Sequence, residues 1–264
     1  MIPLGILAAA GAGGAFPSFL TSAPLWLDAS DSATITQSSG SVSQWDNKGT
    51  LENFVQATGA SQPTTNATTL NGLNVIDFAS DFMNAQTLAN WKFMSDGTDY
   101  FFAAVVKYGT VANPGAFYSL LGSNRGTRNE VGSLFAYDDR TNEDNFFSLV
   151  SRGMDGNIVN VVDTNFLTPN TFLIHSALLD PNNATAANRI SYFSDNTEGT
   201  DNNTVTNAPS TSNPGYVLQL GANGTGVGIM TGSMAEVILV SGTDATETNR
   251  QETVDYLNAK WSVF

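Results

Sequence analysis

Cysteine is absent from the 264 residues, which removes any disulfide framework and any thiolate nucleophile or metal ligand, and suits folding in a reducing compartment. Histidine is nearly absent. With His175 alone, a histidine-rich metal site is excluded and a Ser-His-Asp triad would have to be built on that one residue. No G-x-S-x-G elbow is present to serve it, and Phe172, Ile174 and Ser176 fall on the opposite face of the run TFLIHSALL, so the expectation is a structural histidine. Charge is scarce as well: 13% of residues, with ten bases against 24 acids and a net charge of −14, which disfavours nucleic acid and anionic membrane surfaces as partners. The surface must therefore be rich in Asn, Thr, Ser and Gly.

Long hydrophobic runs are also missing. The opening MIPLGILAAAGAGGAFPSFL carries no charge, but Gly5, Gly11, Gly13, Gly14, Pro3 and Pro17 break it well short of the roughly 20 strongly apolar residues that a membrane span needs. A secretory signal would need a basic n-region, which this stretch lacks. The expectation is an N-terminal docking arm over residues 1–24, whose Ile2, Leu4, Ile6, Leu7, Phe16, Phe19 and Leu20 bury against a partner, followed by one domain over 25–264.

What is present points to β-structure. Runs rich in Val, Ile, Phe and Tyr recur between clusters of Gly, Asn, Asp, Ser and Thr: NVIDF (74–78), YFFAAVVKY (100–108), FFSLV (146–150), TFLIHSALL (171–179), ISYF (190–193), YVLQL (216–220) and AEVILV (235–240). In YFFAAVVKY both alternating faces are apolar, so this strand is expected to lie centrally, covered on both sides. The polar stretch 194–215 reads as a surface excursion. One helix is expected in DATETNRQETVDYLNAKW, capped by Asp244 and docked by Val254, Leu257 and Trp261.

Several stretches occur together in one order: LWLDASDSATI (25–35), VSQWDNKG (42–49), LNGLNVIDFA (70–79), GSMAEVILVSG (232–242) and LNAKW (257–261). This set resembles the concanavalin A-like lectin/glucanase domains of the laminin-G-like type. The resemblance implies an all-β, two-sheet antiparallel jelly-roll sandwich, here with an N-terminal extended arm and one C-terminal helix. The start MIPLGILA ahead of such a domain is similar to virion structural proteins of tailed bacteriophages. Trp26, Trp45 and Trp261 fall within strand and helix patterns and are expected in the core. Glu236, inside an apolar strand, is expected to pair with a base or a backbone amide near the sheet edge.

Hydrolases of this superfamily carry acidic residues at alternate strand positions, and no such triplet exists here; in NEDN (142–145) the acids are adjacent. No enzyme activity is expected. The glycine-rich GANGTGVG (221–228) lacks a following Lys-Ser/Thr and precedes a strand, so it reads as a loop and not a phosphate cradle. Oxygen-rich loops at Asp138-Asp139, Asp180 to Asn183 and Asp195-Asn196 raise calcium, but none matches a twelve-residue calcium loop, and Asx side chains bond their own turns anyway; no cofactor is expected. For glycan binding, the candidate aromatic and polar clusters are Trp91 with Asp96, and Tyr137 with Asp138 and Arg140.

These observations lead to a structural virion protein of a tailed phage as the first expectation: a capsid or tail decoration, cement or surface projection anchored by its arm and assembled in the host cytoplasm. Its partners would be other virion proteins, with closed homo-oligomers as the general expectation. The alternative is a lectin-like receptor-recognition protein that adsorbs to host surface polysaccharide. A glycan hydrolase is the third.

Overall fold

In the computed structural model, residues 16–109, 117–124, 130–138, 145–151, 160–163, 168–199 and 210–264 are described. They form strands β1 (Leu25–Asp28), β2 (Ile35–Ser38), β3 (Ser41–Trp45), β4 (Phe54–Val55), β5 (Thr64–Leu70), β6 (Leu73–Ala79), β7 (Met83–Asn84), β8 (Tyr100–Tyr108), β9 (Phe117–Gly122), β10 (Gly132–Asp138), β11 (Asn145–Ser151), β12 (Asn160–Asp163), β13 (Phe172–Leu179), β14 (Ile190–Ser194), β15 (Thr197–Glu198), β16 (Gln219–Leu220) and β17 (Thr231–Ser241), and one α-helix, α1 (Glu247–Trp261). The strands pair antiparallel in two sheets. The first runs β15-β14-β13-β8-β17; the far edge of β17 is shared by β6, opposite Thr231 to Met234, and β1, opposite Glu236 to Leu239, with β5 beyond β6. The second runs β12-β11-β10-β9-β16-β7-β4-β3-β2. Ser41 opposite Thr64 joins the two at a corner.

Strand β8 sets the architecture, and the reason lies in its sequence. Its side chains alternate in direction, so Tyr100, Phe102, Ala104 and Val106 enter the core between the sheets, while Phe101, Ala103 and Val105 enter a second core on the opposite face. Across the sandwich, Phe102 stacks on Phe135 of β10 with centroids 4.9 Å apart. The second core is closed by α1, through Val254, Leu257 and Trp261, and by the N-terminal segment. Each fully buried Phe or Leu contributes roughly 1.5–3 kcal/mol, so a strand apolar on both faces is stable only between two such layers. The jelly-roll sandwich and its single C-terminal helix are thus as the sequence implies.

Three local expectations change. The helix cap is Thr246, whose Oγ1 accepts the Asn249 amide at 3.2 Å, and Asp244 instead lies in the preceding 3-10 turn. Most of YVLQL is not strand, since only Gln219–Leu220 pairs. Of the excursion 194–215, the start forms the β14–β15 hairpin, and residues 200–209 lie outside the described residues.

The N-terminal segment also departs from the docking expectation. Ser18–Ser22 form a 3-10 helix, Leu20 is fully buried, and Phe16 and Phe19 pack on the second core, Phe19 edge-on to Phe101 at 6.4 Å. These three residues are apolar and pack against the outer face of the chain's own first sheet, which buries Leu20 fully and Phe16 and Phe19 in part. Ile2, Leu4, Ile6 and Leu7 lie outside the described residues.

Candidate functional site

Strand β17 carries the most concentrated chemistry among the described residues. Met234 pairs with Val106 and Glu236 with Val105, so Ala235 is an extra residue, a β-bulge. Without it, simple alternation would send Glu236 into the core between the sheets beside Met234. The bulge turns Glu236 to the helix-side face, where it is 0% exposed. There Oε1 accepts from Trp26 Nε1 at 2.7 Å and Tyr256 Oη at 2.9 Å, and Oε2 from Lys260 Nζ and Trp261 Nε1, both at 2.7 Å. Tyr256, Lys260 and Trp261 all come from the last turns of α1.

Lys260 links this carboxylate to a second. Its Nζ lies 2.7 Å from Asp28 Oδ1, and Asp28 stands opposite Glu236 in the β1–β17 register. Asp28 also accepts from Ser30 Oγ at 2.6 Å and from Lys48 Nζ at 3.0 Å; Lys48 in turn reaches Asp31 and lies 4.4 Å over the Trp26 ring. Phe16 closes the cluster, 5.1 Å from Trp26 and edge-on to Tyr256 at 5.7 Å.

The electrostatics follow from this packing. Burial pushes the Glu236 carboxyl up from its ordinary value, and the Lys260 ammonium offsets part of that rise. Three of its four partners can only donate, so the geometry holds the ionised form. Burial would raise Asp28 too, but Lys260 and Lys48 outweigh it and hold its carboxyl below the usual aspartate range. Burial would lower Lys260, and Glu236 and Asp28 more than reverse that. Glu236 thus finds its base, in mid-sheet and not at an edge. With about four acceptor positions on a carboxylate, all engaged, it is suited to tying β1, β17 and α1 together.

The glycan candidates fare differently from the expectation. Trp91 is 0% exposed: its Nε1 donates to Glu52 Oε1 at 3.0 Å, and its ring packs 5.9 Å from Phe54 and 6.2 Å from Phe93. Glu52 also accepts from the Thr87 amide and Asn90 Nδ2, so the clamp closes a 3-10 segment, Leu88–Met94, over the core. Tyr137 is 1% exposed and stacks on Tyr108 at 5.4 Å, because it occupies an inward position of β10 and not a loop. Neither ring is available to a ligand. Asp96 closes a turn by accepting from the Thr98 amide and hydroxyl. Asp138 ends β10, and its side chain, like Arg140, lies outside the described residues. The other three tryptophans, Trp26, Trp45 and Trp261, are buried as expected.

His175 is a core residue. Its Nδ1 lies 3.0 Å from Tyr192 Oη, and burial pushes its pKa down to about 3, which keeps the ring neutral near pH 7. Two of the oxygen-rich loops use their side chains on the protein itself: Asp180 accepts from Asn183, Asn182 donates to the Gly97 carbonyl, and Asp195 accepts from the Ile174 amide, while the Asp138 side chain and Asp139 lie outside the described residues. Among the described residues, no group of three His, Cys, Asp or Glu is placed to hold a metal ion. One pair had no signal in the sequence: burial and then the neighbouring Asp180 raise Asp99, two acids that only the β8–β13 pairing brings together.

Among solved structures, the chain is similar to the CBM40 carbohydrate-binding domain of Ruminococcus gnavus IT-sialidase, at 10% identity and TM-score 0.51, covering 69% of this chain and 96% of that one. It is also similar to a Trypanosoma rangeli sialidase in complex with the inhibitor DANA, at 13% identity and TM-score 0.52, covering 94% of this chain but only 35% of the sialidase. A third is an arabinofuranosidase complexed with arabinofuranosyl-alpha-1,2-xylobiose, at 13% identity and TM-score 0.51, covering 94% and 61%. At such identities the likeness is one of fold, a lectin-like jelly-roll sandwich. No family model matches the chain, and no characterised protein matches it by sequence.

Proposed function

We propose that this chain is a non-catalytic, lectin-like module that binds glycan. The observation that carries the reading is the lectin-like sandwich in which the buried carboxylates Asp28 and Glu236 are fully engaged by the protein's own donors. A fold is not a function, but what this one leaves outside is a surface poor in charge and rich in hydroxyl and amide groups, suited to sugar hydroxyls. An oligosaccharide array probed with the full chain tests it: selective binding supports the reading, and no binding above background to any class overturns it. Release of reducing ends from a bound polysaccharide would overturn the non-catalytic part alone.

A second reading, a virion surface protein of a tailed phage anchored by its N-terminal arm, draws on the uncharged stretch before Phe16. Because Phe16, Phe19 and Leu20 pack on the chain's own body, a free anchor would be confined to residues 1–15. The two readings are compatible, since one protein can both decorate a particle and bind glycan. Removal of residues 1–15 should abolish incorporation into particles, and undiminished incorporation would refute the anchor.

A further inference from the structure

The loop after β16, Gly221 to Gly228, is tightly held, yet it displays Val227, which at 61% exposure is the most exposed large hydrophobic side chain among the described residues. Asn223 Oδ1 accepts from the Thr225 amide, the Thr225 hydroxyl and the Val227 amide at 3.1, 2.8 and 3.1 Å. The Asn223 amide donates back to the Val227 carbonyl at 2.9 Å, and the Gly226 amide is shared by Asn223 O and Gln219 Oε1. Gln219 is itself fixed by Asn84, and the Ser119 amide of β9 donates to Gly228 O at 2.7 Å. A loop constrained by so many bonds has little conformational freedom left to lose on binding.

Two partly exposed aromatic rings are seated on its glycines. A Cβ on Gly226, whose φ is +70°, would lie 3.3 Å from Phe82 Cζ, and one on Gly224 would lie 2.3 Å from Tyr216 Cβ, so both side chains contact bare backbone. Gly224 and Gly226 are two residues apart, within about 7 Å along the chain. Phe82 and Tyr216 are thus anchored on glycines that flank the exposed Thr225 and adjoin the exposed Val227, a span comparable to one or two sugar rings. The Thr225 hydroxyl, its hydrogen engaged by Asn223, still has lone pairs to accept from a ligand hydroxyl. Among the described residues, Glu130 Oε1 accepts from Tyr216 Oη at 3.5 Å. An apolar and aromatic surface with hydroxyl acceptors, on a chain of net charge −14, suits the C–H face of an uncharged sugar better than an anionic one.

We infer that this loop, with Phe82 and Tyr216, is the glycan-binding surface and takes a neutral pyranose. The inference rests on the glycan-binding reading above. It is tested with the full chain on an array of neutral gluco-, galacto-, manno- and xylo-oligosaccharides alongside their sialylated and sulfated counterparts, followed by titration of the best neutral binder against Phe82→Ala, Tyr216→Ala and Val227→Asp. Val227→Asp changes an exposed side chain and keeps the backbone bonds, so it separates binding from folding. Neutral binding weakened roughly tenfold or more by Val227→Asp and by either ring variant, with melting unchanged for Val227→Asp, is the expected result. Neutral binding undiminished in all three variants overturns this site and leaves the glycan-binding reading standing. Binding confined to sialylated or sulfated chains overturns the ligand class, and no binding to any oligosaccharide overturns both.

Discussion

Replacing Glu236 with glutamine keeps the shape of the side chain and removes its charge, which isolates what the buried carboxylate does. In the native protein it receives Trp26 Nε1, Tyr256 Oη, Lys260 Nζ and Trp261 Nε1, all between 2.7 and 2.9 Å. In Glu236→Gln one oxygen becomes an amide nitrogen, so donors face a donor: Trp26 Nε1 if the nitrogen takes the Oε1 position, where Tyr256 Oη can turn to accept, or both Lys260 and Trp261 if it takes Oε2. Lys260 retains Asp28 at 2.7 Å, so its ammonium is not stranded. Breaking a buried ion pair costs about 3–5 kcal/mol, and a hydrogen bond to a charged group is worth about 1.5–3 kcal/mol, so the loss should fall near 3–5 kcal/mol. For a chain of this size that corresponds to a melting temperature lower by roughly 6–20 °C. Urea unfolding with matched m-values is the assay, run with Lys260→Met and the double variant as a cycle. A Glu236→Gln protein within about 1 kcal/mol of the native one would refute the claim that this network ties β1, β17 and α1 together.

His175 is held neutral, its pKa lowered from 6.5 to about 3, so the unfolded chain binds the proton more readily. Stability should be full well above pH 6.5 and, below it, fall with decreasing pH by up to about 1.4 kcal/mol per unit, so the native protein should lose about 2 kcal/mol more than His175→Gln between pH 6.5 and 4.5; parallel urea midpoints for the two would count against it. Trp91→Ala should destabilise by about 3–5 kcal/mol in thermal unfolding while leaving glycan affinity per folded molecule unchanged; a selective loss of affinity would return Trp91 to the binding site. A Cβ at Gly232, where φ is +150°, would fall 2.0 Å from the Lys107 carbonyl oxygen, so Gly232→Ala should cost more than about 2 kcal/mol by chemical denaturation, and a neutral result would mean that the β8–β17 pairing yields there.

The periodicity of the chain by itself determined that β8 is covered on both faces, that Val254, Leu257 and Trp261 dock α1, and that the three strand and helix tryptophans are core, because a two-residue or 3.6-residue period states directly which side chains share a face. The glycine and asparagine pattern of residues 221–228 likewise announced a loop. Only the tertiary structure decided where the polar groups point. Trp91 and Tyr137 sit among loop-like residues in sequence yet turn inward, since a 3-10 segment closes on the core and β10 runs on to Asp138, into the residues that read as a turn. Glu236 faces the helix because one extra residue at Ala235 shifts the alternation, and its partners come from positions more than 200 residues before it and 20 to 25 after it. Phe82 meets the glycine loop because β7, distant in sequence, pairs with β16. Local patterning sets which face a residue occupies; what waits on that face is set by long-range strand order, which no local period encodes.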